Sequence, residues 1–559
     1  MNRIRYTLAI IILIVAAGFK TSPLCAQQSQ EFEISKNLDI FITLYKELNT
    51  NYVDDINASE LMQTGINAML DDLDPYTVYI PEAEIEDYRF MTTGEYGGIG
   101  SLIHQQDGKI IISEPYENAP AQKAGLKAGD RILKVNDKST EGKSVDDVSS
   151  ILKGQPGTSL KLEVERNGMS KPLIININRE KIVLDAVPYY GMLNGEIGYI
   201  KLTSFTQTAS AEVKKAFLNL KQEHDVKGIV LDLRDNGGGL LTEAVNIVNL
   251  FVNKGELVVS TKGKQPDKNK TYRTLLDPLD AEIPLIVLVN GSSASASEIV
   301  SGALQDLDRA VIMGRNTYGK GLVQNIFPLT YNTQVKITVA KYYIPSGRCI
   351  QAIDYAHKDG NGIAGHIPDS LITAYKTKHG RTVYDGKGIA PDVELDTTRF
   401  SSVAYNLFIK YLIFDYATKF AAENAEIPKP GAFRITDDIF DDFKKFVSAK
   451  GFEFSTAADR DLIALKQAAQ AEGCWDEIKT DYELLKSKIE KHKTEDIDNN
   501  RDEISQLLKL EIVSRYYYQK GRIESSLSSD KDLLESEKLI NDKPLYQAII
   551  SGSYVKPAN

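Results

Sequence analysis

The sequence predicts a multidomain protein with a layered α/β core, a smaller β-rich domain before it, and helical regions at both ends. Three observations lead to this fold class. The chain has 559 residues, which is too long for one hydrophobic core. Residues 92–181 read as short strands separated by Gly, Asn and Asp turns, whereas residues 182–396 alternate apolar strands with helical runs. The segment before them shows apolar side chains at helical spacing, and the segment after them reads as helical and charged.

The first 26 residues have the features of a secretory signal peptide. Arg3 and Arg5 precede an apolar run over residues 8–19, and Ala26 supplies a small residue for cleavage. The run holds about a dozen apolar residues, which is short of the roughly 20 that a membrane span needs. We therefore expect an exported protein, periplasmic or extracytoplasmic, and leave membrane association open.

The cysteines leave two questions open. Cys25 would be the acceptor of a lipid anchor, but Pro23 and Leu24 stand where small residues are expected, which disfavours that interpretation. Cleavage after residue 26 leaves Cys349 and Cys474. These two residues either form a disulfide in an oxidising compartment or are two buried thiols, and the sequence does not decide between them.

The chain divides into five predicted segments. They are a signal peptide (1–26), an N-terminal helical arm (27–90), a β-rich domain (91–181), an α/β core (182–398) and a C-terminal helical region (399–559). Strands are predicted at 109–113, 131–135, 159–166, 173–178, 228–233 and 283–289, and helices at 145–153, 240–251 and 298–305.

The charge balance restricts the partners. Lys and Arg number 66 against 77 Asp and Glu, which gives a net charge of −11 and a pI near 5.3. Nucleic acid or an anionic membrane surface would favour a basic patch, and the sequence shows no basic block. Nucleic acid is therefore excluded as the main partner.

A turn of small residues follows the strand predicted at 283–289. It reads Asn-Gly-Ser-Ser-Ala-Ser-Ala-Ser-Glu and leads into a helix near Glu298. Free N–H groups at a helix start attract negative charge, so an exposed hydroxyl there is well placed to be a nucleophile. Ser295, three residues before Glu298, equally fits a capping box. Both interpretations stay open on this segment alone, and physical reasoning does not choose among Ser293, Ser295 and Ser297.

A nucleophilic serine needs a base, and histidine is the usual one. The six histidines fall in polar or irregular stretches without a recognisable catalytic context. Lys320 remains, because Gly319 and Gly321 allow another chain segment to come close, and a lysine held away from water loses its proton near neutral pH. A strand is predicted to open at Lys320. Gln324 lies on the same side of this strand as Lys320 and can orient its amine. A solvated turn lysine and an ordinary strand glutamine are the alternatives.

A strand that ends in a glycine turn is predicted over residues 229–239. The turn reads Asp-Asn-Gly-Gly-Gly and precedes a helix. Its backbone N–H groups, with that of Ala296, can bind the oxyanion of a tetrahedral intermediate. A phosphate loop is the alternative, but the run lacks both the Gly-Lys-Ser/Thr ending of a P-loop and the spaced glycines of a dinucleotide site.

Together and in this order, the three segments resemble the C-terminal processing (tail-specific) peptidases, a serine peptidase family with a Ser-Lys dyad. The shared motifs are Ser-Ala-Ser-Ala-Ser-Glu, Tyr-Gly-Lys-Gly and Leu-Asp-Leu-Arg-Asp-Asn-Gly-Gly-Gly. The resemblance implies Ser295 as nucleophile, Lys320 as general base and Gln324 as its orienting partner. For the oxyanion hole it implies Ala296 and one glycine of the triplet, for which we take Gly238. This chemistry requires no metal and no organic cofactor.

The β-rich segment fits the same family, whose members carry a PDZ domain. Tyr-Gly-Gly-Ile-Gly at residues 96–100 resembles the loop whose backbone amides hold a peptide carboxylate, here through Gly97, Gly98, Ile99 and Gly100. A glycine-rich hairpin without a ligand is the alternative.

The resemblance also implies the fold in more detail. It is a crotonase/ClpP-like layered α/β protease core with an inserted β-rich PDZ domain and helical N- and C-terminal regions. Similarity runs from about residue 38 to 396. An insertion at about 352–385 and the helical tail from 399 depart from the simplest family pattern, and neither touches the proposed dyad.

The function that follows is an exported serine endopeptidase for protein C-terminal tails. The expected partners are protein or peptide substrates with apolar C-terminal tails, together with either a second copy of the chain or an adaptor. One alternative is a catalytically inactive PDZ scaffold that binds exported tails. Another is a hydrolase of small esters or amides on the same core, which the PDZ-like segment disfavours.

Overall fold

The computed structural model describes residues 22–396 and 400–554. The predicted signal peptide lies mostly outside these residues, and it stays a prediction. The chain divides into two compact units, one up to Tyr79 and one from Ile80 onward. Among the described helices, none has the length and apolar character needed to cross a membrane.

The first unit is helical, as the apolar spacing predicted. It contains α1 (Ser22–Asn51) and α2 (Ala58–Asp71), followed by the short strand β1 (Val78–Ile80) at its boundary. Asn57 caps α2 by accepting a hydrogen bond from the N–H of Glu60 at 3.3 Å. The sides of α1 carry several exposed apolar side chains, among them Phe32, Leu38 and Ile40.

The second unit begins with the β-rich domain. Its elements are α3 (Ile85–Thr93), β2 (Glu95–Gly98), β3 (Ser101–Gln106), β4 (Lys109–Pro115), α4 (Pro120–Lys123), β5 (Arg131–Val135), β6 (Lys138–Ser139), α5 (Val145–Leu152), β7 (Ser159–Glu165), β8 (Leu173–Asn178) and β9 (Glu180–Val183). The main sheet has the order β3-β4-β5-β7-β8, and β2 pairs with β9. Alternate residues of the strands form a separate hydrophobic core, for example Ile112, Leu162 and Val164.

The α/β core follows. Its first elements are β10 (Tyr189–Leu193), β11 (Ile197–Lys201), α6 (Ala209–Glu223), β12 (Gly228–Asp232), α7 (Leu241–Asn249), β13 (Leu257–Gly263), β14 (Lys270–Arg273), β15 (Leu285–Val289), α8 (Ala296–Asp306) and β16 (Val311–Gly314). Its later strands are β17 (Leu322–Pro328), β18 (Gln334–Tyr343), β19 (Ile353–Lys358), β20 (Ala364–His366), β21 (Ala374–Lys376), β22 (Thr382–Tyr384) and β23 (Val393–Glu394).

The central sheet has the order β10-β11-β12-β15-β16-β23 and is parallel except for β10. Its strands read as continuous apolar runs because both faces are buried. The helices α6, α7 and α8 pack on one face, where Ile229 and Leu231 point. Strands β13, β14, β17 and β18 form an antiparallel sheet beside it, and the predicted insertion forms two hairpins, β19–β20 and β21–β22.

The C-terminal region contains α9 (Ser402–Ile409), α10 (Leu412–Glu423), α11 (Asp437–Ala449), α12 (Ala457–Glu472), α13 (Trp475–Asn499), α14 (Arg501–Ser526), α15 (Lys531–Asn541) and α16 (Lys543–Ile550). Residues from α9, α10, α11 and α14 share a core of their own. In contrast, α15 and α16 pack on the second face of the central sheet, where Val230, Leu533 and Ile540 belong to one buried cluster. The last two helices therefore complete the layered core, which the sequence did not predict.

The packing of α15 leads to a stability prediction. Leu533 is 1% exposed beneath the central sheet, whereas its neighbour Leu534 is 37% exposed. We expect Leu533→Ala to lower the free energy of unfolding by about 2–5 kcal/mol, because it removes buried methyl groups and leaves a cavity. Leu534→Ala should cost much less. Urea unfolding of both variants checks this, and equal losses would contradict the assigned packing.

Candidate active site

The three predicted motifs meet at one edge of the central sheet. Strand β15 is paired in parallel with β12 on one side and β16 on the other, so their carboxyl ends lie together. The glycine turn follows β12, the serine turn follows β15, and the lysine turn follows β16. The fold thus brings together segments that are widely separated in the sequence.

The three candidate serines of the turn, Ser293, Ser295 and Ser297, have different environments. Ser293 donates to the carbonyl of Leu233 at 2.8 Å, and Ser297 donates to the carbonyl of Asn236 at 2.8 Å. Both serines are fully buried. Ser295 is partly exposed and is the N-cap residue of α8, as the capping interpretation predicted. The structure therefore separates one accessible hydroxyl from two that fasten the turn to the glycine segment.

The backbone of Ser295 is unusual for a helix cap. Its φ is +57° and its ψ is −110°, whereas an N-cap residue ordinarily lies in the β region. A positive φ in a residue other than glycine is strained, and such strain is often found at functional sites. The sharp turn between β15 and α8 thus holds the partly exposed serine in a fixed conformation.

Glu298 joins the serine turn to the lysine turn. One oxygen of its carboxylate accepts from the N–H groups of Ser295 (2.8 Å) and Lys320 (2.9 Å). The other oxygen accepts from the Thr317 hydroxyl (2.5 Å) and the Gly319 N–H (2.7 Å). The carboxyl group is completely buried, and burial raises its pKa to about 7 against the opposing effect of these donors.

Sequence reasoning had given Glu298 only the role of a capping partner. Its spacing from Ser295 does predict the contact with the serine N–H. No sequence signal indicated the contacts with residues 317–320, which lie beyond a helix and a strand.

Lys320 is half-buried and its backbone is held on both sides. Its N–H donates to Glu298, and its carbonyl accepts from the Tyr342 hydroxyl at 2.5 Å. The same hydroxyl lies 3.1 Å from the carbonyl of Ser295. A Cβ atom on Gly319 would come within 2.4 Å of Ala352. The expectation that the glycines beside Lys320 permit close approach of another segment is therefore met at Gly319 and also at Gly321, whose added Cβ would lie 2.8 Å from the nitrogen of Gln351.

Gln324 lies in β17, which begins at Leu322 rather than at Lys320. Its side-chain amide donates to the Thr338 hydroxyl on β18 at 3.1 Å. This contact fixes the amide within the β17–β18 pair. The role of Gln324 in orienting the Lys320 amine stays a prediction.

The glycine turn packs directly against the serine turn. Asn236 links them, since its carbonyl accepts from the Ala294 N–H at 3.0 Å and from the Ser297 hydroxyl. The N–H of Gly238 donates to the side-chain oxygen of Asn236 at 2.9 Å. Binding of an oxyanion at Gly238 would therefore require this N–H to turn away from Asn236. The role of Gly238 and Ala296 in binding the oxyanion stays a prediction.

The close contact at Gly238 gives a second prediction. Its φ is +104°, and an added Cβ would lie 2.9 Å from the Cβ of Ser295 and 3.0 Å from the nitrogen of Ala296. Gly238→Ala should displace the serine turn and lower kcat by about 100-fold. Gly237→Ala is the matched control, because nothing lies within 4 Å of its added Cβ. Comparable kcat values for the two variants would contradict the prediction.

The predicted carboxylate loop of the β-rich domain is only partly a loop. Gly97 and Gly98 belong to β2 and pair with β9. The carbonyls of Ile99 and Gly100 accept from the N–H groups of Ala121 (2.8 Å) and Tyr116 (2.9 Å). Strand β3 follows directly as the outer strand of its sheet, so an extended peptide could pair with its open edge. Carboxylate binding by these four residues stays a prediction.

Cys349 and Cys474 are both free thiols. Cys349 is mostly shielded from water, and burial raises the pKa of its thiol. The sequence left open whether Cys349 and Cys474 form a disulfide or are separate thiols, and the structure shows separate thiols.

Family models match three parts of the chain. Residues 196–368 match peptidase family S41, residues 111–166 match a PDZ domain, and residues 403–540 match a family described as "Probable PDZ-protease, C-terminal helical domain". The first covers most of the α/β core, including all three turns. The second lies within the β-rich domain.

Two curated relatives extend the similarity. The chain is 38% identical over 351 residues to a carboxy-terminal-processing protease of Bartonella bacilliformis, covering 61% of this chain and 80% of the relative. It is 30% identical over 488 residues to a probable CtpA-like serine protease of Staphylococcus aureus, covering 85% of each. A solved structure of the photosystem II D1 C-terminal processing protease is 27% identical, covering 64% of this chain and 92% of that one, with a TM-score of 0.36.

The fold and these relationships define a serine-type peptidase with a layered α/β core and an inserted PDZ domain. Within that class the chain belongs to peptidase family S41.

Proposed function

We propose that this peptidase is an exported endopeptidase that captures apolar C-terminal tails on its PDZ domain and cleaves them with Ser295 and Lys320. One observation carries the assignment of the dyad. The N–H groups of Ser295 and Lys320 donate to the same oxygen of Glu298, so the serine turn and the lysine turn are fixed to each other. Of the three candidate serines, Ser293, Ser295 and Ser297, only Ser295 is partly exposed.

The chemistry is acyl transfer. The neutral amine of Lys320 takes the proton of the Ser295 hydroxyl, and the alkoxide attacks the scissile carbonyl. Backbone N–H groups of Ala296 and the glycine turn stabilise the oxyanion. The intermediate collapses to an acyl-enzyme as the amine leaves with a proton from Lys320, and water then attacks the ester with Lys320 again as the base.

Substrate choice, export and assembly belong to the same proposal. The relatives named for carboxy-terminal processing support cleavage near C-termini, and the open edge of β3 supports capture of an extended peptide. The apolar run behind Arg3 and Arg5 supports export. We further propose that the PDZ domain gates the active site and that the protein works as a homodimer or with an adaptor.

The test uses an unstructured protein substrate with an apolar C-terminal tail. Native protein should cleave it, and should cleave less when the terminal carboxylate is amidated or the tail is made acidic. Lys320→Ala should lower kcat by about 10²- to 10⁴-fold, as loss of a general base does. Lys254→Ala, which changes an exposed turn lysine, should retain native kcat.

The alternatives predict different results. An inactive PDZ scaffold would bind the tail without cutting it, and a small-molecule hydrolase would turn over esters without preference for the tail. Native kcat in Lys320→Ala would overturn the dyad.

A further inference from the structure

The C-terminal helix α15 contacts the segment that leads to the glycine turn. Arg234 follows β12 by two residues and comes three before Gly237. Its guanidinium donates to both oxygens of Asp530 (2.8 and 3.1 Å) and to Asp532 (3.0 Å). Asp530 is also the N-cap of α15, accepting from the N–H of Asp532 at 3.0 Å and of Leu533 at 3.2 Å. A fork of parallel bonds to a carboxylate fixes the orientation of an arginine as well as its charge.

The other side of Arg234 is fixed by the core. Asp232 is completely buried and accepts from the Arg234 side chain at 2.7 and 3.0 Å and from the Tyr199 hydroxyl at 2.8 Å. Lys201 donates to the carbonyl of Arg234 at 2.8 Å. Although burial opposes its ionisation, the charges of Arg234 and Lys201 hold the pKa of Asp232 well below its usual range. Arg234 is thus held between the sheet and α15.

A second arginine reaches the same helix from the lysine side. Arg315 directly follows β16 and comes five residues before Lys320. Its guanidinium donates to Asp532 at 3.3 Å and to the carbonyl of Asp396. Since β12 and β16 flank β15, the start of α15 holds the strand ends on both sides of the nucleophile strand.

We propose that Asp530 and Asp532 are positioning residues of the active site, which hold the glycine turn and the lysine turn in register with Ser295 through Arg234 and Arg315. The C-terminal helical region then works as part of the catalytic centre. This inference rests on the proposed roles of Ser295 and Lys320. Neither aspartate touches the reacting groups, so the effect is on geometry, and small displacements of a catalytic group lower kcat strongly.

The test uses substitutions that keep the helix cap. Asparagine caps helices about as well as aspartate, so Asp530→Asn removes the charge that faces Arg234 while α15 keeps its cap. Asp532→Asn and the double variant complete the set. Asp542→Asn is the matched control, because Asp542 caps α16 in the same layer by accepting from the Leu545 N–H at 3.0 Å.

The readouts are kcat and KM for a tailed substrate, the rate at which a fluorophosphonate labels Ser295, and the folded fraction by circular dichroism. We expect the double variant to lower kcat and the labelling rate by about 10- to 100-fold with KM unchanged. Asp542→Asn should retain both rates.

Two results would overturn the proposal. One is a native kcat in the double variant, whether or not KM is raised, and the other is a loss of kcat that only follows the unfolded fraction. Failure of the underlying dyad is distinguishable, because cleavage would then survive Ser295→Ala whatever residues occupy 530 and 532.

Discussion

Ser295→Ala is expected to lower kcat by about 10⁴- to 10⁶-fold while leaving the free energy of unfolding close to the native value. Ser293→Ala and Ser297→Ala are expected to lower the free energy of unfolding while leaving kcat close to the native value. The hydroxyls of Ser293 and Ser297 are buried and donate to the carbonyls of Leu233 and Asn236. Each loss removes one hydrogen bond to a buried carbonyl that keeps a backbone donor, which costs about 0.5–1.5 kcal/mol. The hydroxyl of Ser295 is partly exposed, and its removal takes away the proposed nucleophile.

The serine series is measured by urea unfolding and by cleavage of a tailed substrate at a temperature where all three variants are folded. Ser292→Ala is a further control, because Ser292 is exposed in the same turn. Cleavage that survives in Ser295→Ala would contradict the nucleophile. A loss of kcat in Ser293→Ala as deep as that in Ser295→Ala, with the protein still folded, would contradict the division of roles.

The sequence predicted the central sheet well because buried parallel strands have a strong signal. Strands predicted at 228–233 and 283–289 correspond to β12 and β15, with ends shifted by one or two residues. Their alternate residues pack on opposite faces, so both faces required an apolar side chain. The order of the three turns at one sheet edge followed from the same pattern.

The packing of the last two helices had no comparable signal. The apolar residues of α15 fit any buried surface, and Leu533 contacts strands more than 200 residues earlier in the chain. Helical spacing identifies a buried face but not its partner. For the same reason the ion pairs of Arg234 with Asp530 and Asp532 were invisible in the sequence.

The serine motif shows the same limit within the active site. Ser293, Ser295 and Ser297 alternate with alanine and are equivalent in composition, and only the path of the glycine segment buries two of them. Glu298 resembled a capping residue because Ser-x-x-Glu is a local motif. Its contacts with Thr317, Gly319 and Lys320 arise from the fold.

Glu298→Gln is expected to lower kcat/KM by about 100-fold and to remove a pH dependence centred near 7. The ionised carboxylate accepts four hydrogen bonds, two on each oxygen. A glutamine amide places an NH₂ group against two of these donors, so one side of the link between the serine and lysine turns is lost. In the native protein the pKa of Glu298 is raised to about 7 by burial, so protonation below that pH should weaken the same link.

Stability and activity should therefore change with pH in opposite directions. The pKa of Glu298 in the folded protein lies above the ordinary value of 4.5, so the fold favours the protonated form. The stability from this group is fully present below about pH 4.5 and is lost as the pH rises through 7, in total on the order of 3 kcal/mol. Over the same range kcat/KM should rise, because the ionised group completes its contacts with Ser295 and Lys320.

The experiment compares native protein, Glu298→Gln and Glu212→Gln from pH 5 to 9, with kcat/KM and urea unfolding at each pH. Glu212 is the matched control, because it accepts from a backbone N–H (Val187, 2.9 Å) and a threonine hydroxyl (Thr208, 2.6 Å) outside the site. A rise of kcat/KM near pH 7 that persists unchanged in Glu298→Gln would show that Glu298 does not control it. Loss of that rise in Glu298→Gln alone would show that one buried carboxyl sets the geometry of both the serine turn and the lysine turn.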